Sequence, residues 1–287
     1  MADLISATLC EELLAVFDDP AYRPPPLPEV ALELMSLAGR EDTNVAQVVA
    51  LLERDEMLAA TVLRLVGSPL YAGRTPIRSL REAVVRLGIQ GVRDAVFEAA
   101  LSRGVFALRE YADVMSAVAR HSTVTAYITR LVCRRSGLDS DTAFICGLLH
   151  DVGFAGLLLA VEHVEGDAAP PLVQLWKDID GVHERASLLL TGRWGLPPDV
   201  VEVVGHHHHL HTGRLAPLAA AVRLADHLSQ RFGAVVLGPL LDRQPMVGDL
   251  SAPFDIEMAY TELGIDDAAA QLIIADAERV VPEILWL

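Results

Sequence analysis

The sequence predicts an all-α protein, and three observations lead there. Apolar residues recur at helical spacing through most of the 287 residues. The intervals between these runs are rich in Gly, Pro, Ser and Asp, the residues that stop and cap helices. No sustained apolar–polar alternation, the mark of a half-buried strand, lies between turn signals. Composition agrees. The chain is 52% hydrophobic but only 5% aromatic, so its core must be built from Leu, Val, Ala and Ile. Ala and Leu are strong helix formers.

The elements follow in order. Residues 1–18 read as a short amphipathic helix. "DPAYRPPPLPEV" (19–30) carries five prolines and must be extended, because proline lacks a donor and restricts its predecessor. "ALELMSLAGR" (31–40) resumes helical spacing. "TNVAQVVALLERD" (43–55) has Thr43 or Asn44 as N-cap. "EMLAATVLRLV" (56–66) is stopped by "GSP". "SLREAVVRLG" (79–88) opens on Ser79 and closes on Gly88, and "GVRDAVFEAAL" (91–101) is one more helix. Longer helices run from about 105 to 230, with stops at "SGLDS", "EGDAAPP", "GRWGLPPD" and "HTGRLAP". Residues 233–254 are looser, and the tail 255–287 carries one or two helices.

The bulk numbers exclude several classes. A net charge of −16 and a pI near 4.9 repel a phosphate backbone, so general nucleic-acid binding is not expected. Three cysteines without a C-x-x-C give neither a disulfide framework nor a zinc ribbon. The start lacks a basic n-region, and charges interrupt the apolar runs, so neither a signal peptide nor a membrane span is expected. The expectation is a cytoplasmic protein.

The chain has ten histidines. His121 stands at what reads as the start of "RHSTVTAYITRLVCRR". His150 and Asp151 end "GLLHDVG". His183 opens "HERASLLLTGRWG", His207 and His208 follow "LPPDVVEVVGH", and Asp226 lies in "AVRLADHL". Imidazole and carboxylate ligands suit iron, manganese or zinc, as one or two ions. A carboxylate beside a histidine can bridge two of them. Each residue also has a plainer reading. His150–Asp151 could be a structural pair, His121 an incidental helix histidine, His183 a solvated neighbour of Glu184, and Asp226 a surface residue. Taken together, they favour a metal site. Within the run 206–209, His207 and His208 read as the inward pair, with His206 and His209 exposed or the register shifted by one. "RPPPLP" (23–28) reads as the opening segment of the domain rather than as a polyproline ligand.

"HSTVTA", "GLLHDVG", "HERAS", "LPPDVVEVVGHHH" and "VRLADHL" together resemble the HD superfamily of metal-dependent phosphohydrolases. The stretch from "PPPLPEV" through "GVRDAVF", with Pro76, Ile77, Ser79, Ala83, Leu87 and Gly88, is similar to the start of an HDOD domain, a branch of that superfamily. The resemblance spans roughly residues 24–230. It implies an N-terminal HDOD bundle over 1–105, an HD-like core over 106–235 and a helical tail over 236–287. It also implies a bacterial signalling protein acting through a protein partner or a small nucleotide. Homodimerisation is left open.

The departures from the pattern bear on catalysis. The lysine that follows the HD-x-G segment in HD-GYP phosphodiesterases is Phe154 here. The glutamate that some of those enzymes place four residues before the first histidine is Ala117. No Gly-Tyr-Pro follows the paired histidines, and the usual Asp-Pro and Asn-Ser are Asp55-Glu56 and Gly67-Ser68. The first expectation is therefore a regulatory module that keeps a metal. The second is a phosphohydrolase in which His121, His150, Asp151, His183, His207, His208 and Asp226 hold the ions. In that case Asp151 bridges them and accepts a proton, and Arg185 or Arg193 stands in for the missing cation. In a third reading the ligands bind nothing and only the scaffold functions.

Overall fold

A computed structural model describes residues 2–68, 71, 77–106, 111–138, 141–165, 172–209, 212–234 and 256–285. Among these residues there are thirteen α-helices and no strand. Residues 235–254 of the expected loose stretch 233–254, and the motif residue Pro76, lie outside the described residues.

The N-terminal half is a set of short helices on one long one. Helices α2 (Glu29–Ala38), α3 (Val45–Leu52) and α4 (Glu56–Val66) pack on α5 (Leu80–Ala100). Local chemistry sets their starts. Asn44 and Gln47 form a reciprocal capping box at α3. The Asp55 carboxylate accepts the Met57 and Leu58 amides at 3.0 Å and caps α4, so Asp55 keeps a role without the usual proline after it. Ser79 caps α5 through the Glu82 amide. Gly88 breaks α5 with φ 74° and ψ 168°, a conformation that strains any residue with a Cβ. The helix therefore falls into the two segments expected on either side of Gly88. After α5 the chain widens into a π-helical turn, Leu101–Val105.

The second half is built on α6 (Ala112–Ser136), α7 (Ala143–Leu149), α8 (Val152–Glu165), α9 (Leu172–Arg193), α10 (Pro198–Gly205) and α11 (Ala216–Arg231). Helix α6 packs against α7 and α11, and α9 against α8 and α10. Of the tail helices, α12 (Ile256–Leu263) lies on α11 and α13 (Asp267–Ile284) on α6.

One boundary differs from expectation. Helix α1 (Ala2–Ala15) packs not with the 1–105 bundle but on α8 and α9. Phe17, which follows it and is fully buried, meets the bare backbone of Gly156. Burying one such side chain contributes roughly 1.5–3 kcal/mol, enough to pull the start of the chain across to the second half.

Two histidines also sit differently. His121 and His183 were expected at helix starts, yet α6 begins at Ala112 and α9 at Leu172, which puts both in mid-helix. The preceding "ADVMSAVAR" and "LVQLWKDID" are good helix sequence. Ser122, beside His121 in mid-helix, has a buried hydroxyl without a hydrogen-bond partner among the described residues.

The window Ala143–Val164 has the length and hydropathy of a membrane span, but 94% of it is buried inside the protein. It is two helices, α7 and α8, broken at His150–Asp151.

Candidate metal centre

The seven ligands predicted from sequence converge. Helix α6 brings His121 against Asp226 of α11. His150 ends α7, and Asp151 occupies the turn into α8. His183 comes from the middle of α9, and His207 and His208 from the turn after α10. Asp151 stands between two groups of donors. Its Oδ2 lies 3.4 Å from His121 Nε2 and 3.3 Å from His150 Nε2. Its Oδ1 lies 3.5 Å from His183 Nε2 and 3.4 Å from His207 Nε2. Asp226 Oδ1 completes the first group at 3.1 Å from His121 Nε2. His208 Nε2 completes the second at 3.1 Å from His183 Nε2.

These distances fit metal ions. Four ligands placed tetrahedrally at about 2.0–2.1 Å from a metal are separated from one another by about 3.4 Å. Every separation just given falls between 3.1 and 3.5 Å. The imidazole tautomers point the same way. Nδ1 faces a backbone carbonyl in four rings: His121 to Ala234, His150 to Gly147, His183 to Asp180 and His207 to Val204, at 2.5–2.9 Å. A proton on Nδ1 leaves each Nε2 as a lone pair. Yet Nε2 of His121 and His150 are 3.1 Å apart, and those of His183 and His207 are 3.3 Å apart. Lone pairs so close repel each other unless a cation or a shared proton lies between them.

The charges agree. Burial pulls the His150 imidazole down, but Asp151 and Asp226 outweigh it and raise its pKa to about 9. Asp151 and Asp226 are held well below the usual carboxylate range, their burial outweighed by the histidines around them. The first group is therefore a strong site for positive charge. Burial and neighbouring imidazoles push His207 down to about 4 and His208 to about 3, so both offer bare nitrogens at neutral pH.

A supporting layer fixes the ligands. The Ser187 hydroxyl accepts the Gly153 amide and donates to the His150 carbonyl, both at 2.8 Å, tying α8 and the α7 terminus to α9. A Cβ on Gly153 would fall 2.0 Å from the His183 carbonyl oxygen, and one on Gly147 would fall 2.6 Å from Thr129 Oγ1. Both glycines of "GLLHDVG" are thus sites of close backbone approach, and that approach sets the spacing of the ligands. Phe154, where a lysine was missing, stacks on His183 with centroids 4.4 Å apart and on Trp176 at 4.8 Å.

The two arginines proposed for phosphate do not reach the cluster. Arg193 is ten residues beyond His183 on α9, about 15 Å along the axis, and lies near Tyr22. Arg185 is exposed and turned about 200° around the helix from His183. The cation that does lie close is Arg223, one turn before Asp226 on α11. It is half-buried, which lowers its pKa, and it feels the charges of Glu184 and Asp226. Glu184 is the other residue that sequence reasoning passed over. Its Oε1 accepts the His208 amide at 2.7 Å, and Oε2 lies 3.3 Å from His209 Nε2. The i, i+3 spacing of Arg223 and Asp226 was the available signal. His209 is exposed, with its side chain 58% accessible, whereas His206 is only partly so.

Comparison with known proteins identifies the family and the fold. The HDOD domain profile matches residues 25–210. A protein of Treponema pallidum is 26% identical over 197 residues, 65% of this chain and 38% of that protein. Ribonuclease Y of Deinococcus radiodurans is 26% identical over 148 residues, 52% of this chain but 22% of the enzyme. The chain thus spans well under half the length of these relatives. Among solved structures, an HDOD domain protein of Geobacter sulfurreducens superposes with a TM-score of 0.69 at 24% identity, covering 96% of this chain and 95% of that one. A candidate metal-dependent phosphohydrolase of Shewanella amazonensis superposes with a TM-score of 0.67 at 21% identity, covering 95% and 99%. Fold, motifs and profile together place this chain in the HDOD family.

Proposed function

We propose that this HDOD protein is a cytoplasmic signalling component whose Asp151-centred cluster is a two-metal phosphoester hydrolase site. The observation that carries this reading is the division of seven ligands into two groups of four donors that share Asp151, one carboxylate oxygen to each. His121, His150, Asp151 and Asp226 would hold one ion, and Asp151, His183, His207 and His208 the other. When bound, iron, manganese or zinc would supply Lewis acidity and an activated water. The residues of the chain do the rest. Asp151 sets the spacing of the two groups, one carboxylate oxygen to each. The Nδ1–carbonyl bonds keep the imidazoles oriented. Arg223 supplies the positive charge that Phe154 cannot.

The second reading, a regulatory module with a structural metal and a protein partner, is favoured by the burial of the ligands. His121, His150 and His207 are at most 2% exposed, and the Asp226 side chain only 14%. One experiment separates the two. Untagged protein is assayed for bound metal by elemental analysis and for hydrolysis of a chromogenic phosphodiester, beside Asp151→Asn. Two equivalents of metal with turnover, both lost in the variant, support the hydrolase. Metal without turnover supports the regulatory module, and a folded protein that takes up no metal refutes both.

A further inference from the structure

The histidine turn after α10 has an unusual task. His207 and His208 are consecutive, yet their Nε2 atoms lie 3.3 and 3.1 Å from the same atom, Nε2 of His183. Consecutive residues on a helix project about 100° apart, so two neighbours on one helix cannot serve one point. The chain ends α10 at Gly205 and passes into a turn, closed by the His209 amide on the His206 carbonyl at 3.0 Å. The rings of His207 and His208 then lie side by side, with centroids 4.1 Å apart.

Leaving the helix frees backbone groups that need other partners. Glu184 takes one of them. Its Oε1 accepts the His208 amide at 2.7 Å, and a charged acceptor makes such a bond strong. The Glu184 side chain is only 18% exposed. The same carboxylate lies 3.9 Å from His207 Nδ1 and 3.3 Å from His209 Nε2. Glu184 directly follows His183 on α9, so the anchor of the turn is rooted beside the ligand that the turn must face. His208 is the histidine that most needs this anchor. His121, His150, His183 and His207 each have Nδ1 on a backbone carbonyl. Among the described residues no such bond holds the His208 ring, so its direction depends on its backbone.

Resting on the two-metal reading above, we propose that Glu184 is a positioning residue for the second group. It pins the His208 amide so that His207 and His208 face His183 together. The ligands of the first group, His121, His150 and Asp226, stand on α6, at the end of α7 and on α11, and do not depend on this turn. Glu184 acts here as an acceptor for a backbone N–H. Glutamine keeps an acceptor oxygen and should replace it; alanine should not.

The test is calorimetric titration of the metal-free full chain with manganese, on wild type, Glu184→Ala and Glu184→Gln. Hydrogen exchange of the His208 amide is read by NMR in the same metal-free samples. Wild type should bind two ions. In Glu184→Ala the second ion should bind on the order of 10–100-fold more weakly and the first unchanged, and the His208 amide should exchange fast. Glu184→Gln should keep both ions and a protected amide. Three results would overturn the proposal: Glu184→Ala binding two ions at wild-type affinity, Glu184→Ala losing both ions, or Glu184→Gln behaving as Glu184→Ala. A wild type that takes up fewer than two ions refutes the two-metal reading instead. The amide then decides the role of Glu184: protection lost in Glu184→Ala and kept in Glu184→Gln supports it, and equal protection in wild type and Glu184→Ala overturns it.

Discussion

Gly153→Ala should remove one metal site and leave the other. The new Cβ would lie 2.0 Å from the His183 carbonyl oxygen and 2.6 Å from the Ser187 amide, where ordinary contact begins at 3.4 Å. Both neighbours are backbone, so no rotamer change relieves the clash. Helix α9 must retreat by 3.4 − 2.0, about 1.4 Å. That distance is more than half of a metal–ligand bond of about 2.1 Å. His183 would therefore leave Asp151, His207 and His208. His121, His150 and Asp226 come from other helices and stay in place. Overpacking of this kind costs about 1–3 kcal/mol, and misplacing a ligand costs on the order of 10–100-fold in metal affinity. The assays are elemental analysis and denaturant unfolding. Gly181→Ala serves as control, since it lies on the same helix with no atom near its Cβ; it should be neutral or stabilising by up to about 1 kcal/mol. Two retained equivalents and an unchanged midpoint in Gly153→Ala would refute the claim that close approach at this glycine places His183.

Three further outcomes are expected. Asp151→Asn should lower metal content below one equivalent, because a neutral amide cannot serve both groups; metal retained at two equivalents would contradict the bridging role. Arg223→Gln should keep both ions but lower kcat/KM on a phosphodiester by on the order of a hundredfold, as removal of a charge stabiliser does; an unchanged rate would exclude Arg223 from the site. Glu98 gives a pH signature. Its folded pKa of about 7 lies above the ordinary 4.5, so its contribution to stability is present below about pH 4.5 and lost as pH rises through 7. Relative to the wild type, Glu98→Gln should gain on the order of 3 kcal/mol between pH 4.5 and 8, measured by urea unfolding at both ends. A difference that does not vary with pH would mean that the carboxylate is not buried in solution.

The helices were legible because apolar spacing and caps are local properties. Asn44, Ser79 and Gly88 each do what their residue type implies. The convergence of the seven histidines and aspartates was legible because their residue types recur in a known pattern. Three features were not legible. The position of His121 within α6 depends on how far upstream the helix begins, and nothing in "ADVMSAVAR" marks a stop. The role of Arg223 depends on α11 crossing α6, which spacing along one helix does not reveal. The rejection of Arg185 and Arg193 follows from rotation and distance along α9, which become meaningful only once His183 is known to lie in mid-helix.

The placement of α1 has a consequence for how the chain holds together. The first helix and Phe17 belong to the half that carries the His/Asp cluster, although the bundle of α2–α5 lies between them in sequence. The bundle is therefore tethered at both ends to the same body, like a strap buckled to the object it spans. Neither half is a detachable module. A cut near residue 105 would strand the α1 buttress of α8 and α9 on the wrong fragment, and heat or denaturant should melt the protein in a single cooperative step.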